Sequence, residues 1–266
     1  MPHRSYLFVP ADRPERYPKA LATGAHAVIV DLEDAVAPDA KERARAALCE
    51  WLEGGGEGVL VRINAVSTPW FEEDLALCSR AGVAGVLVPK AERPPDLLQI
   101  AGIAAGKPLY PLIESAAGFQ AAAAIAGVAG VERLMFGSID FQADVGIDGD
   151  GEELLVFRSG IVLASRLAGI GPPVDGVSTA IDDLAALQAD VTRARKLGFG
   201  AKLCIHPRQV ATVNALFLPT PAEVKWARRV VDAARRANGA AVAVDGRMVD
   251  KPVVRKAEAI IAEAKA

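Results

Sequence analysis

The chain has 266 residues, enough for one large α/β domain or two small ones, and 52% of them are hydrophobic, which supplies a core of that size. Charged residues make up 24%, the net charge is −3 and the basic residues are scattered, so intrinsic disorder is excluded and a nucleic-acid groove is disfavoured. Three cysteines, Cys49, Cys78 and Cys204, lie at wide spacings without a motif, which argues against a disulfide framework or a thiolate zinc site and for a reducing compartment. The chain start lacks a continuous apolar segment, and no stretch reaches the roughly 18 apolar residues of a membrane span. A soluble, cytoplasmic protein with no membrane partner is expected.

Short apolar runs bounded by Gly, Pro or charge predict buried parallel strands at Tyr6–Pro10, Ala27–Leu32, Val59–Ile63, Gly85–Pro89, Leu109–Ile113, Leu134–Ser138, Val174–Val177 and Ala201–Ile205. Segments with apolar residues at helical spacing lie between them, such as Ala44, Ala47, Leu48, Trp51 and Leu52, or Leu184, Leu187, Val191, Ala194 and Leu197. Gly198 reads as a helix stop, and Thr220, Pro221 and Glu223 as a capping box with proline at the first helical position. This alternation predicts an α/β fold, a (β/α)8 TIM barrel with a C-terminal helical extension. An open doubly wound sheet is the rival, but no Gly-x-Gly-x-x-Gly follows an early strand, and the glycine-rich run at 54–58 precedes a strand and reads as a flexible loop. Residues 1–220 are expected to form the barrel core. Residues 221–266 are expected to supply the last barrel helix and an extension available to pack on a neighbouring subunit.

In a parallel barrel the catalytic face lies at the carboxyl ends of the strands. Charge collects there: Asp31, Glu33 and Asp34 after the second strand, Arg62 and Asn64 at the third, Lys90 and Glu92 at the fourth, Glu114 at the fifth, Asp140 at the sixth and His206 at the eighth. The strand starts are mostly Gly, Ala and Pro, and this asymmetry predicts an enzyme. Glu114 and Asp140, on strands about 4.8 Å apart, can converge on one cation, and oxygen-only ligation suits Mg2+. The alternative is that each acid caps the following helix.

Arg62 in a central strand needs a carboxylate or a ligand oxygen. It is either an ion-pair partner of the Asp31 and Glu33 side or a substrate clamp, and the clamp is preferred because Asn64 faces the same way. Lys90 reads as an ion-pair lysine in preference to a Schiff base, and His206 as a structural strand-end residue or a base. A histidine-rich metal site is excluded by having only three histidines. No Gly-x-Ser-x-Gly elbow or cysteine nucleophile motif occurs, which disfavours acyl-enzyme chemistry.

Motifs running in order along nearly the whole chain resemble the citrate lyase beta-subunit-like family, which includes citryl-CoA, malyl-CoA and citramalyl-CoA lyases. They are RSYLFVPADRPERYPKA at 4–20, VIVDLEDAV at 28–36, VRIN at 61–64, VLVPKAE at 86–92, LIESAAGF at 112–119, FGSIDFQADVG at 136–146, CIHPRQV at 204–210 and DGRMVDKPVV at 245–254. The resemblance implies a Mg2+-dependent barrel, trimeric or hexameric, that makes or breaks the bond between the α and β carbons of a 3-hydroxyacyl thioester. It implies Glu114 and Asp140 as metal ligands, with Glu114 also at the substrate, and Arg62 as the substrate arginine. Phe8, Arg13 and Lys19 match the CoA-side aromatic, arginine and lysine, and Asp250 matches an aspartate delivered from the adjacent subunit. Two departures, Ser115 in place of Thr and Ile139 in place of Glu, bear on the shape of the acyl pocket.

The expected reaction releases acetyl-CoA or a homologue and a 2-oxo acid. The enolate must be stabilised where its charge develops, with Arg62 at its oxygen and Asp250 moving the proton. The alternatives are a malyl-CoA thioesterase in the same site, a citrate lyase complex subunit acting on an acyl-carrier-protein thioester, and a CoA-independent pyruvate-type aldolase.

Overall fold

The apolar runs form eight parallel strands: β1 Ser5–Pro10, β2 Ala27–Asp31, β3 Val59–Arg62, β4 Val83–Val88, β5 Leu109–Ile113, β6 Met135–Phe136, β7 Val174–Asp175 and β8 Ala201–Cys204. They pair in sequence order and close through β8 on β1, in a computed structural model that describes residues 3–237 and 241–264. Helices α1 Tyr17–Leu21, α2 Lys41–Glu53, α3 Phe71–Cys78, α4 Pro94–Ile103, α5 Ala116–Ala126, α6 Ser138–Val145, α7 Leu155–Ala168 and α8 Leu184–Leu197 lie between the strands, and α9 Pro207–Phe217 follows β8. The expected TIM barrel is therefore present.

Period-two alternation divides the strand residues between two cores. Tyr6, Ile29, Leu60, Leu87, Leu112, Met135, Val174 and Leu203 form one buried cluster that fills the barrel. Asp175 and Lys202 belong to the opposite set and are fully buried with Arg158 of α7. Arg158 Nε donates to Asp175 Oδ1 at 2.9 Å, Lys202 Nζ lies 3.5 Å from Asp175 Oδ2, and the same ammonium donates to the Gly176 carbonyl at 2.6 Å. Arg158 also reaches the Asp150 carbonyl at 2.8 Å and its carboxylate at 2.6 Å, which ties the loop after α6 to the end of β7.

The barrel and the segment beyond it are separate compact units that divide between Asn214 and Ala215. The helix that follows the last strand is α9, begun by Pro207, whereas the expectation placed the last barrel helix after residue 220. The second unit contains α10 Pro221–Arg236, a hairpin of β9 Val242–Val244 and β10 Arg247–Val249, and α11 Lys251–Glu263. Thr220 and Glu223 form the reciprocal capping box at the start of α10. Asp245 and Gly246, with φ of 52° and 74°, make the tight hairpin turn that needs left-handed backbone at both positions. Ala227, Val230, Val231, Val249 and Ala257 are the buried core of this unit. Among the described residues no helix is long and apolar enough to cross a membrane.

Candidate active site

Strand register builds the first half of the site. Asp31 ends β2 in register with Arg62 at the end of β3. Arg62 Nε and Nη2 donate to the two oxygens of Asp31 at 2.7 and 2.6 Å, and Nη1 lies 2.9 Å from Glu33 and 3.3 Å from Asp34. The Phe8 ring centre is 5.0 Å from the guanidinium carbon, within cation–π range. Burial works against the Arg62 charge, but Asp31, then Glu33 and Asp34, more than offset it and raise its pKa. Arg62 is thus an ion-paired cation that also lines a cavity, with the Asp31 and Glu33 partners that the sequence offered as one of its two readings.

Asn64 does not face the cavity as expected. Its amide donates to Asp74 at 2.6 Å and to the Leu32 carbonyl at 3.0 Å, and its oxygen accepts from Lys41 Nζ at 2.7 Å. A strand that has already ended at Arg62 no longer imposes period-two alternation, so the two side chains diverge. Lys41 also donates to the carbonyls of Leu32 and Glu33, at 2.7 and 2.6 Å, and anchors the turn that carries the acids.

Glu114, directly after β5, is the most perturbed acid of the site. Its Oε1 accepts from the backbone N–H of Lys90 at 2.7 Å. Lys90 has a φ of 46°, a left-handed conformation rare outside glycine. This contact uses the Lys90 backbone, while its exposed ammonium still acts electrostatically on Glu33. On the other side, a Cβ at Gly137 would meet Glu114 Cβ at 2.5 Å and Oε2 at 2.6 Å, so only glycine permits this approach. Burial, then the negative charges of Glu33 and Asp140, push Glu114 up to about 8 against the pull of the Lys90 N–H and Arg62. Burial likewise pushes Glu33 up to about 7 against Arg62.

Neither Glu114 nor Asp140 is spent as a helix cap. Ser115 caps α5, accepting from the Gly118 N–H at 3.1 Å and donating to Glu92 at 2.6 Å. Gly137 occupies the cap position of α6 without a side-chain bond, and Asp140 lies in that helix's first turn, beyond the strand end expected for it. His206 is held locally: its Nδ1 accepts from the Arg208 N–H at 3.2 Å, the structural reading.

Phe8, Arg62, Glu114 and Asp140 are brought together in the lining of a cavity of about 400 Å3 at the carboxyl ends of the strands, with Asp31, Asp34, Ser138, Ile139, Val177, Leu203 and Ile205 among the other lining residues. Ile139 lines it; Ser115 does not. Arg13 and Lys19 are exposed and outside this lining, whereas Phe8 is part of it. Asp250 belongs to the second unit, where it caps α11 by accepting from the Val253 N–H at 3.3 Å. Sequence reasoning put Asp31, Glu33 and Asp34 on the catalytic face and offered the Asp31 and Glu33 side as an ion-pair partner of Arg62, but gave none of the three a role of its own in the site. Val177, Leu203 and Ile205 carried none, because an apolar residue at a strand end reads as core until the cavity is seen. Among the described residues no three His, Cys, Asp or Glu side chains group as metal ligands.

A closed parallel barrel with convergent acids at its carboxyl face defines a (β/α)8 enzyme scaffold. The chain belongs to the HpcH/HpaI aldolase/citrate lyase family, which matches residues 4–207, and it is an enzyme of that lyase family. It is 35% identical over 275 residues to a (3S)-malyl-CoA thioesterase of Cereibacter sphaeroides, covering all of this chain and 95% of the relative. An L-malyl-CoA/beta-methylmalyl-CoA lyase of the same species is 32% identical over 303 residues, with 99% and 95% covered. The crystal structure of CitE from Mycobacterium tuberculosis in complex with magnesium, acetoacetate and coenzyme A has a TM-score of 0.89 and 35% identity, covering 99% of this chain and 98% of that one.

Proposed function

We propose that the protein is a Mg2+-dependent carbon–carbon lyase that cleaves a 3-hydroxyacyl-CoA thioester into acetyl-CoA, or a homologue, and a 2-oxo acid. The observation that carries this reading is the meeting of Glu114, Asp140 and Arg62 in one cavity, with Glu114 pushed up to about 8 by burial and by neighbouring carboxylates. An all-oxygen donor pair crowded by like charge suits a hard divalent cation. Glu114 and Asp140 would hold the ion, which when bound supplies positive charge beside the oxygens of the reacting carbons. Arg62 stabilises the enolate oxygen that forms as the bond between the acyl α and β carbons breaks. The carboxylate of Asp250 takes the substrate hydroxyl proton as that oxygen becomes the carbonyl of the 2-oxo acid, and returns it to the enolate carbon to give the shorter acyl-CoA. In the condensing direction Asp250 removes that proton. Assembly as a homotrimer or hexamer, with Asp250 acting in an adjacent protomer, is part of this proposal and is supported by the DGRMVDKPVV match at 245–254.

Whole-length similarity to malyl-CoA thioesterases favours a second reading, in which water attacks the thioester in the same cavity. A Mg2+-dependent assay over malyl, methylmalyl, citramalyl and citryl thioesters, with products identified, separates the two. A lyase releases a 2-oxo acid and a shorter acyl-CoA; release of the intact hydroxy acid with free CoA would replace the first reading by the second.

Mg2+ affinity is expected to depend on pH, because an ion must displace the proton that Glu114 retains below about 8. For displacement of one proton, affinity should rise roughly tenfold per pH unit through the neutral range and level off above it. Calorimetric titration between pH 6 and 9 tests this. Glu114→Ala should lose most of the affinity, and an unchanged value would remove Glu114 from the metal site.

A further inference from the structure

Three neighbouring helices of the barrel share an outer face that lacks the usual charge. α4 packs beside α5, and α5 beside α7. Their charged residues are Asp96, Arg158 and Arg166, and α5 (AAGFQAAAAIA) has none. Arg158 is buried and the Asp96 side chain largely covered, which leaves Arg166, among the described residues, as the exposed charge of the three helices. Large apolar side chains stand out instead. Leu98 of α4 is 56% exposed, and Val156, Leu163 and Leu167 of α7 are 64%, 59% and 74% exposed. Their spacing puts the three α7 residues on one stripe of that helix. A surface helix ordinarily turns charge to water, as α2 does with Glu42, Arg43, Glu50 and Glu53, and α3 with Glu72 and Glu73.

The uncharged face is also a preformed one. A Cβ at Gly160 would lie 2.6 Å from the tip of the Phe119 ring, so glycine lets α5 close onto α7. Phe157 meets Phe119 and Phe141 with ring centres 5.1 and 4.6 Å apart. We propose that the α4–α5–α7 face is an interface with the same face of a second copy of this chain, related by a two-fold axis. Charge chooses this occupant. The outer faces of α2 and α3 would bring their carboxylates and guanidinium groups, desolvated and unpaired, against alanine and leucine. A copy of the face brings apolar surface against apolar surface, and such a contact closes on itself.

The area suffices. Helices of 10, 11 and 14 residues, about 15–21 Å long and about 10 Å apart, make a face of about 500 Å2 in projection. That is comparable with the about 800 Å2 of accessible surface that each partner gives to a standard interface, and a patch of this size marks an interaction site. The inference is independent of the proposed reaction, because a two-fold contact doubles whatever assembly the rest of the chain makes.

Sedimentation equilibrium over a dilution series, on the full-length protein, tests it. Leu163→Glu should have half the mass of the parent with an unchanged circular dichroism spectrum, since Leu163 points away from the core of its own chain. Leu167→Glu should do the same and replaces it if Leu163→Glu fails to fold. Leu163→Lys alone should also halve the mass. Mixing the Leu163→Glu and Leu163→Lys proteins in equal amounts should restore the parent mass, because the two-fold contact then opposes unlike charges where each variant alone opposes like ones. A parent of single-chain mass, or variants that keep the parent mass, would overturn the inference. Variants that dissociate but do not reassemble on mixing would overturn the pairing of this face with itself.

Discussion

Asp250→Asn is expected to lower turnover by roughly 10²- to 10⁴-fold, the range that a positioned general acid or base contributes. The substitution isolates chemistry from folding for a local reason. Asp250 caps α11 through a bond from the Val253 N–H, and asparagine serves that position about as well as aspartate. The helix should therefore survive while the carboxyl group that carries the proton is lost. Circular dichroism and Mg2+ affinity should match the parent protein, and thioester binding should be retained. Unchanged turnover would leave Asp250 as a helix cap and require another proton carrier.

Asp175→Ala should destabilise the barrel by about 3–5 kcal/mol, measured by denaturant unfolding. Asp175 and Lys202 are fully buried and Arg158 nearly so. Removing the carboxylate would leave two cations facing one another behind the sheet, with only part of their hydrogen bonding in place. Burial alone would raise the Asp175 pKa, but Lys202 and Arg158 outweigh it and the net shift is downward. A depressed folded-state value means the stabilisation is present above the ordinary aspartate range and is lost as pH falls through the folded-state value. The parent should therefore lose stability on acidification by more than the variant does. A cost below about 1 kcal/mol would show that the cluster is relieved by water or rearrangement.

The two variants probe different parts of the molecule. Asp175 closes β7 in the barrel unit, and its partner Arg158 also holds the loop at Asp150, outside the cavity lining. Asp250 lies in the second unit and its loss leaves that cluster intact. A stability loss without the catalytic loss, and the reverse, are the signatures expected of each.

The barrel was readable because each of its strands is a short apolar run with a breaker at either end, and burial on both faces leaves few other uses for such a run. The predicted limits erred where a strand is only two residues long: β6 stops at Phe136 and β7 at Asp175, because Gly137 opens α6 directly and the chain leaves the sheet at Gly176. The hairpin at 242–249 was also legible, since Asp245–Gly246 between short valine-rich runs is a strong turn signal, yet that region was read only as an appendage.

Local spacing in the chain placed Arg62, Glu114 and Asp140 at one end of the barrel, because strand direction alone dictates which termini share a face. It could not say that Asp31 meets Arg62 with both of its oxygens, that Asn64 turns away to Asp74, or that Ile139 and Ile205 line the cavity. Those facts depend on strand register, helix entry angles and the missing Cβ of Gly137, all of which join residues far apart in the chain. Hydrophobic periodicity is a one-dimensional property and survives in the unfolded sequence, whereas charge neutralisation and cavity shape arise only after distant side chains share the same few ångströms.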